Sequence, residues 1–142
     1  MNADTVHTVD EYYDVPCKGV ATLGGQPVAY EREWDATADD YTEIYWLSPI
    51  TDDALVLALE AWAIWRRWET AFHQGVATLD SHPALPEERA RAAELKLLLE
   101  PHLAICREAA RCATGEFFPR DDPDWSGRGQ VPLAVRWTLQ GQ

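Results

Sequence analysis

Positive charge is scarce at the start of this chain. Among the first 60 residues only Lys18 and Arg32 are basic, against 13 aspartates and glutamates. The rest of the chain nearly balances, with 10 bases and 11 acids, so the net charge of −12 lies almost wholly in the N-terminal part. Direct docking to DNA, RNA or anionic lipid needs clustered lysine and arginine, and this distribution argues against all three. It leaves two readings open: plain solubility, or attraction to a basic partner protein.

Long apolar runs are missing too. No stretch of about 18 apolar residues exists, so no membrane span is expected. The opening "MNADTVHTVDEYYD" is acidic and has no apolar core of the kind a secretory signal carries. Cysteine is sparse and odd in number: Cys17, Cys106 and Cys112, none in a C-x-x-C pair. Reduced thiols and a cytoplasmic location are expected. A lysine beside Cys17 could lower its pKa, but no local signature of a Cys–His enzyme accompanies it. His73, His82 and His102 stand apart, and Glu69 with His73 makes only half a metal site, so no metal and no cofactor are expected. No G-x-S-x-G, P-loop or G-x-G-x-x-G motif occurs. Gly24 and Gly25 precede no helix, which makes them a hairpin turn and not a phosphate cradle.

The 142 residues suit a single domain, 1–142, large enough to bury a core without staples. Thr8 and Glu11 have capping-box spacing, which predicts a short helical turn over residues 9–13, ended by Pro16. From Gly19 to Leu47 the alternation and turn residues predict a three-stranded antiparallel meander. Thr51 is a suitable N-cap, and Asp52 and Asp53 suit the first turn of a helix running to about His73, with Gly75 as a stop. Pro86 suits the start of a second helix reaching about Leu99, where Pro101 disfavours continuation. "HLAICREAARC" suggests a further helical segment. "TGEFFP" and "VPLAVRWTL" read as strands flanking a long polar loop. Strands and helices are segregated along the chain. The expected class is therefore α+β: an antiparallel sheet, made of the meander and two C-terminal strands, with two or three helices packed on one face. A small β-barrel with a helical insertion is the alternative.

The segment "EAWAIWRRWETAF" holds three of the seven tryptophans. On a helical wheel the apolar arc exceeds half the circumference, with Trp62 and Trp65 inside it and Trp68 near its edge. Core packing is expected for the first two. Arg66, Glu69 and His73 also fall on the apolar side, one turn apart. They form a candidate ligand-binding or acid–base pocket, a satisfied ion network, or simply a helix end that outruns the sheet. In the acidic part, Trp34, Tyr41 and Tyr45 are interleaved with carboxylates, Asp39 and Asp40 among them. That pattern fits a partner-binding face for a basic protein, and equally a strand whose aromatics face inward and whose acids face water.

The segments "VDEYYDVPCKGVA", "AIWRRWETAFHQG" and "HPALPEERARAAELKLLL" together resemble a group of small uncharacterised bacterial proteins. That group shares a D-Y-x-D-x-P-x-x-G start, the tryptophan helix and an H-P-A-L-P-E loop. This chain departs from it at Val15 and Cys17, where Gly and Arg are usual. The resemblance implies a bacterial cytosolic origin and supplies no activity. The expectation from the residues is a small acidic binding module, not an enzyme, that docks a basic partner. The alternative is a small enzyme or ligand-binding protein using Arg66, Glu69 and His73.

Overall fold

The computed structural model describes residues 3–141; Met1, Asn2 and Gln142, the ends of the expected 1–142 domain, lie outside the described residues. Seven strands and two helices follow in the order β1 (Asp4–Val6), β2 (Glu11–Tyr13), β3 (Val15–Leu23), β4 (Gln26–Asp35), β5 (Asp40–Pro49), α1 (Asp52–His73), α2 (Arg89–Leu103), β6 (Arg111–Pro119) and β7 (Leu133–Leu139). Short 3-10 turns at Leu79–Ser81 and Pro86–Glu88 lie between the helices.

The strands do not form an open sheet with helices on one face. Antiparallel neighbours run β1-β7-β6-β5-β4-β3, and β1 also pairs with β3 through Val6 and Ala21. That last pairing closes six strands into a barrel, and β2 hangs on β3 outside the closure. The alternative that the sequence left open, a small barrel with a helical insertion, describes this arrangement, with both helices inserted between β5 and β6. Closure removes exposed strand edges, and it encloses a core that a single sheet would leave half covered.

Period-2 alternation sends one set of side chains into the lumen. Ala21 faces Val28, Tyr30 faces Leu47 and Tyr45 faces Ala113 across neighbouring strands. Tyr30, Tyr45, Phe117 and Trp137 fill the middle, with ring centroids 5.4–6.3 Å apart. Small residues make room for them. A Cβ on Gly115 would lie 2.6 Å from the Trp137 ring, and one on Gly19 would lie 2.3 Å from the Thr8 carbonyl oxygen. The two phenols are satisfied inside: Tyr30 Oη donates to Thr8 O at 2.7 Å and Tyr45 Oη to Pro16 O at 2.6 Å.

The helices cover the outside of the barrel. Val20, which points away from the lumen, packs with Ala58 of α1 and Leu99 of α2. Ile64, Ala84 and Leu95 form a second cluster between the helices. The bounds of α1 match the sequence reading, and Thr51 Oγ1 accepts the Ala54 N–H at 3.1 Å as its N-cap. Gly24 and Gly25 take φ of 59° and 84°, the left-handed pair that the β3–β4 hairpin requires. Among the described residues no helix is long and apolar enough to cross a membrane.

Three local expectations are corrected. Residues 11–13 are strand β2 and not a helical turn, because Thr8 Oγ1 accepts the Val20 N–H of the barrel at 2.9 Å and caps nothing. α2 runs through Pro101 to Leu103. Residues 107–109 form a turn, and Arg111 and Cys112 already belong to β6, so no third long helix exists among the described residues.

Candidate functional site

The residues of the expected partner face separate. Tyr45 is buried in the lumen, because its position on β5 points inward. Trp34 and Tyr41 lie at the far end of the β4–β5 hairpin, register partners across the two strands. Their rings meet edge to face at 5.1 Å, and Tyr41 also lies 6.0 Å from Tyr13 of β2. Trp34, Tyr12 and Tyr13 are 51%, 60% and 63% exposed. Asp39 and Asp40 are exposed at the same tip, with Asp39 holding a φ of 53° in the turn. Tyr13, Asp14, Asp40 and Tyr41 line an open notch of about 470 Å³, with Arg32 at its base. The Arg32 guanidinium lies 5.1 Å from the Tyr41 ring centroid and donates to Thr42 O at 2.7 Å. The result is an aromatic row bordered by carboxylates. Tyr13 joins it from β2, where the capping-box spacing of Thr8 predicts a helical turn.

Arg66 and Glu69 do come together, and a loop occupies them. Glu69 is buried and accepts the Gln130 backbone N–H at 3.0 Å, while Arg66 donates to the Gln130 carbonyl at 2.6 Å. The two side chains pair at 3.2 Å. This grip fixes the β6–β7 loop, residues 120–132, against α1. Arg66 also borders a cavity of about 290 Å³ with Trp62, His7 and Arg120. Burial and the nearby Arg120 charge lower the His7 pKa. His73 lies one turn further on, exposed, with the Phe72 ring beside it.

The tryptophans are placed otherwise than the wheel suggested. Trp68 is 4% exposed, donates to Ser81 Oγ at 3.0 Å and is flanked by Phe72 and His82. Trp62 and Trp65, stacked at 4.8 Å, are only half-buried. The wheel located the apolar arc but not its cover: the loop after α1 folds back over Trp68, while the barrel leaves space beside Trp65.

That space is a cleft of about 750 Å³ between the helices and the barrel. Its apolar wall is Ile64 and Trp65 of α1 with Leu99 and Leu103 of α2. Its polar wall is Asp10, Glu11, Lys18 and Glu31 from the barrel, with Lys96 and Glu100 of α2 opposite. An adjoining hollow of about 510 Å³ shares Asp10, Trp65, Lys96 and Leu99, and adds Trp62 and His82. Asp10 is open to solvent on one side but crowded on the other, and burial raises its pKa to about 6. Lys18 opposes the shift and Glu11 adds to it. The sequence reading missed this cleft. One signal for it was present: Ala92, Leu99 and Leu103 share a helical face with Lys96 and Glu100, a charged pair on an otherwise apolar stripe.

Among the described residues no group of three His, Cys, Asp or Glu side chains could hold a metal ion. No protein-family model matches the chain, and no curated protein or solved structure is significantly similar to it.

Proposed function

We propose that this protein is a small acidic binding module that docks a basic partner protein through the tip formed by β2 and the β4–β5 hairpin. One observation carries the reading: Tyr13 and Trp34 stand exposed on either side of Tyr41, beside Asp14, Asp39 and Asp40. Large aromatics supply contact area at interfaces, and carboxylates steer and orient a basic partner. The notch lined by Tyr13, Asp14, Asp40 and Tyr41 offers carboxylates and aromatic rings, the chemistry that receives an arginine or lysine head. Arg32 already holds a guanidinium over the Tyr41 ring. A non-enzymatic role and a cytoplasmic location belong to the same proposal; the three unpaired thiols fit a reducing compartment.

A photo-crosslinking residue in place of Tyr13, in the cells that make the protein, tests it. A discrete basic protein should be trapped, and the adduct should fall at least tenfold when Asp39 and Asp40 are changed to Asn. Trapping that ignores those changes, or an acidic adduct, would overturn the reading.

A further inference from the structure

The cleft between the helices and the barrel lies outside the proposed docking tip and has the form of a small-molecule site. Its volume of about 750 Å³ falls within the usual range for ligand pockets, roughly 300–1,000 Å³. Its two walls differ in chemistry. The helical wall offers Trp65, Leu99 and Leu103 as a continuous apolar surface. The barrel wall offers charge, and the charge is unbalanced. Four carboxylates, Asp10, Glu11, Glu31 and Glu100, line the cleft against two cations, Lys18 and Lys96, with Lys18 4.0 Å from Glu31.

Asp10 is the distinctive group. Its backbone is fixed by its N–H bond to Lys18 O at 2.7 Å, so its place at the cleft does not depend on a mobile loop. Asp10 lines both the main cleft and the adjoining hollow. Among the described residues no hydrogen bond to its carboxyl offsets its burial, which is why its affinity for a proton is high. A ligand cation would serve the same carboxyl in place of the proton. Trp65 adds a ring face that attracts cations as well as apolar groups.

We infer that this cleft binds an organic amine: an ammonium group seated against Asp10, with an aliphatic or aromatic body laid along Trp65, Leu99 and Leu103. A carboxylate or phosphate ligand would meet the excess of acids, and a fully apolar ligand would leave the barrel wall unmatched. Lys96 sets the position of the ammonium by repelling it toward Asp10.

Three probes of matched shape separate these cases: phenylbutylamine, phenylbutanol and phenylbutyrate, titrated calorimetrically and by thermal shift at pH 7.5. The amine should bind at least tenfold more tightly than the alcohol, and the carboxylate more weakly than either. Asp10→Asn should remove the preference of amine over alcohol while retaining the alcohol's own affinity. Lys96→Ala, a solvent-exposed position at the cleft, should strengthen amine binding severalfold and serves as a second test should Asp10→Asn fail to fold. Equal binding of all three probes, no binding below about 1 mM, or an amine preference that survives loss of Asp10 would each overturn the assignment.

Discussion

Gly129 passes over Glu69 so closely that a Cβ at that position would fall 2.3 Å from the carboxyl. Its φ of 81° suits glycine alone, and the close approach is what lets the next residue, Gln130, donate its N–H to Glu69. Gly129→Ala should therefore lose both the backbone geometry and the buried hydrogen bond. The expected cost is about 2–4 kcal/mol, read as a lower denaturation midpoint. Ser126→Ala, in the same loop but exposed, should cost less than about 0.5 kcal/mol.

Tyr30→Phe keeps the ring in the lumen and removes only the hydroxyl bonded to Thr8 O. A buried carbonyl then loses its donor. We expect a loss of about 1–3 kcal/mol in urea denaturation, with an unchanged slope.

Tryptophan exposure can be checked by acrylamide quenching. Trp34→Phe should remove a large share of the quenchable emission, since its ring is half-exposed at the hairpin tip. Trp68→Phe should leave the quenchable share intact and lower stability, because the Ser81 bond is lost. The opposite pattern would contradict the placement of α1.

Stability should depend on Asp10 with a definite sign. Its folded pKa of about 6 lies above the ordinary aspartate value of 3.8, so between those values the folded protein holds the extra proton. Stability then falls as pH rises from about 4 to about 6, and levels off above. Asp10→Asn should abolish that decline and raise the denaturation midpoint at pH 7. Glu60 and Glu88 slope the other way. The Arg91 and Arg67 hydrogen bonds lower their pKa values, so their contribution is lost as pH falls through the acid range. The difference curve between wild type and Asp10→Asn isolates the Asp10 effect.

Local rules made α1 and the β3–β4 hairpin legible, since a cap, a helix dipole and a glycine pair act within a few residues. Barrel closure was not legible, because it rests on β1, three residues long, meeting β3 at the single pair Val6 and Ala21. No local pattern encodes that contact; it follows from the accumulated twist of six strands. The same limit hid the cleft. Asp10 reads as one acid among many, and only the tertiary placement of α1 and α2 brings Trp65 and Lys96 to the same cleft. Arg66 and Glu69 stand out in the sequence as polar groups on an apolar face. What occupies them is a backbone segment some 60 positions away, which helical periodicity does not report.

The pairing of β1 with β7 carries a consequence for how the protein is made. The seam joins the first strand to the last, and the Trp137 indole reaches across 115 positions of sequence to Thr22 O. During synthesis β3, β4 and β5 can form their hairpins as they emerge, but the barrel cannot shut until β7 leaves the ribosome. Until then the inner faces of Tyr30, Tyr45 and Leu47 stand open. Folding should have a slow final step, dominated by the loop entropy of that seam, and a nascent chain stalled before Leu133 should be captured by chaperones.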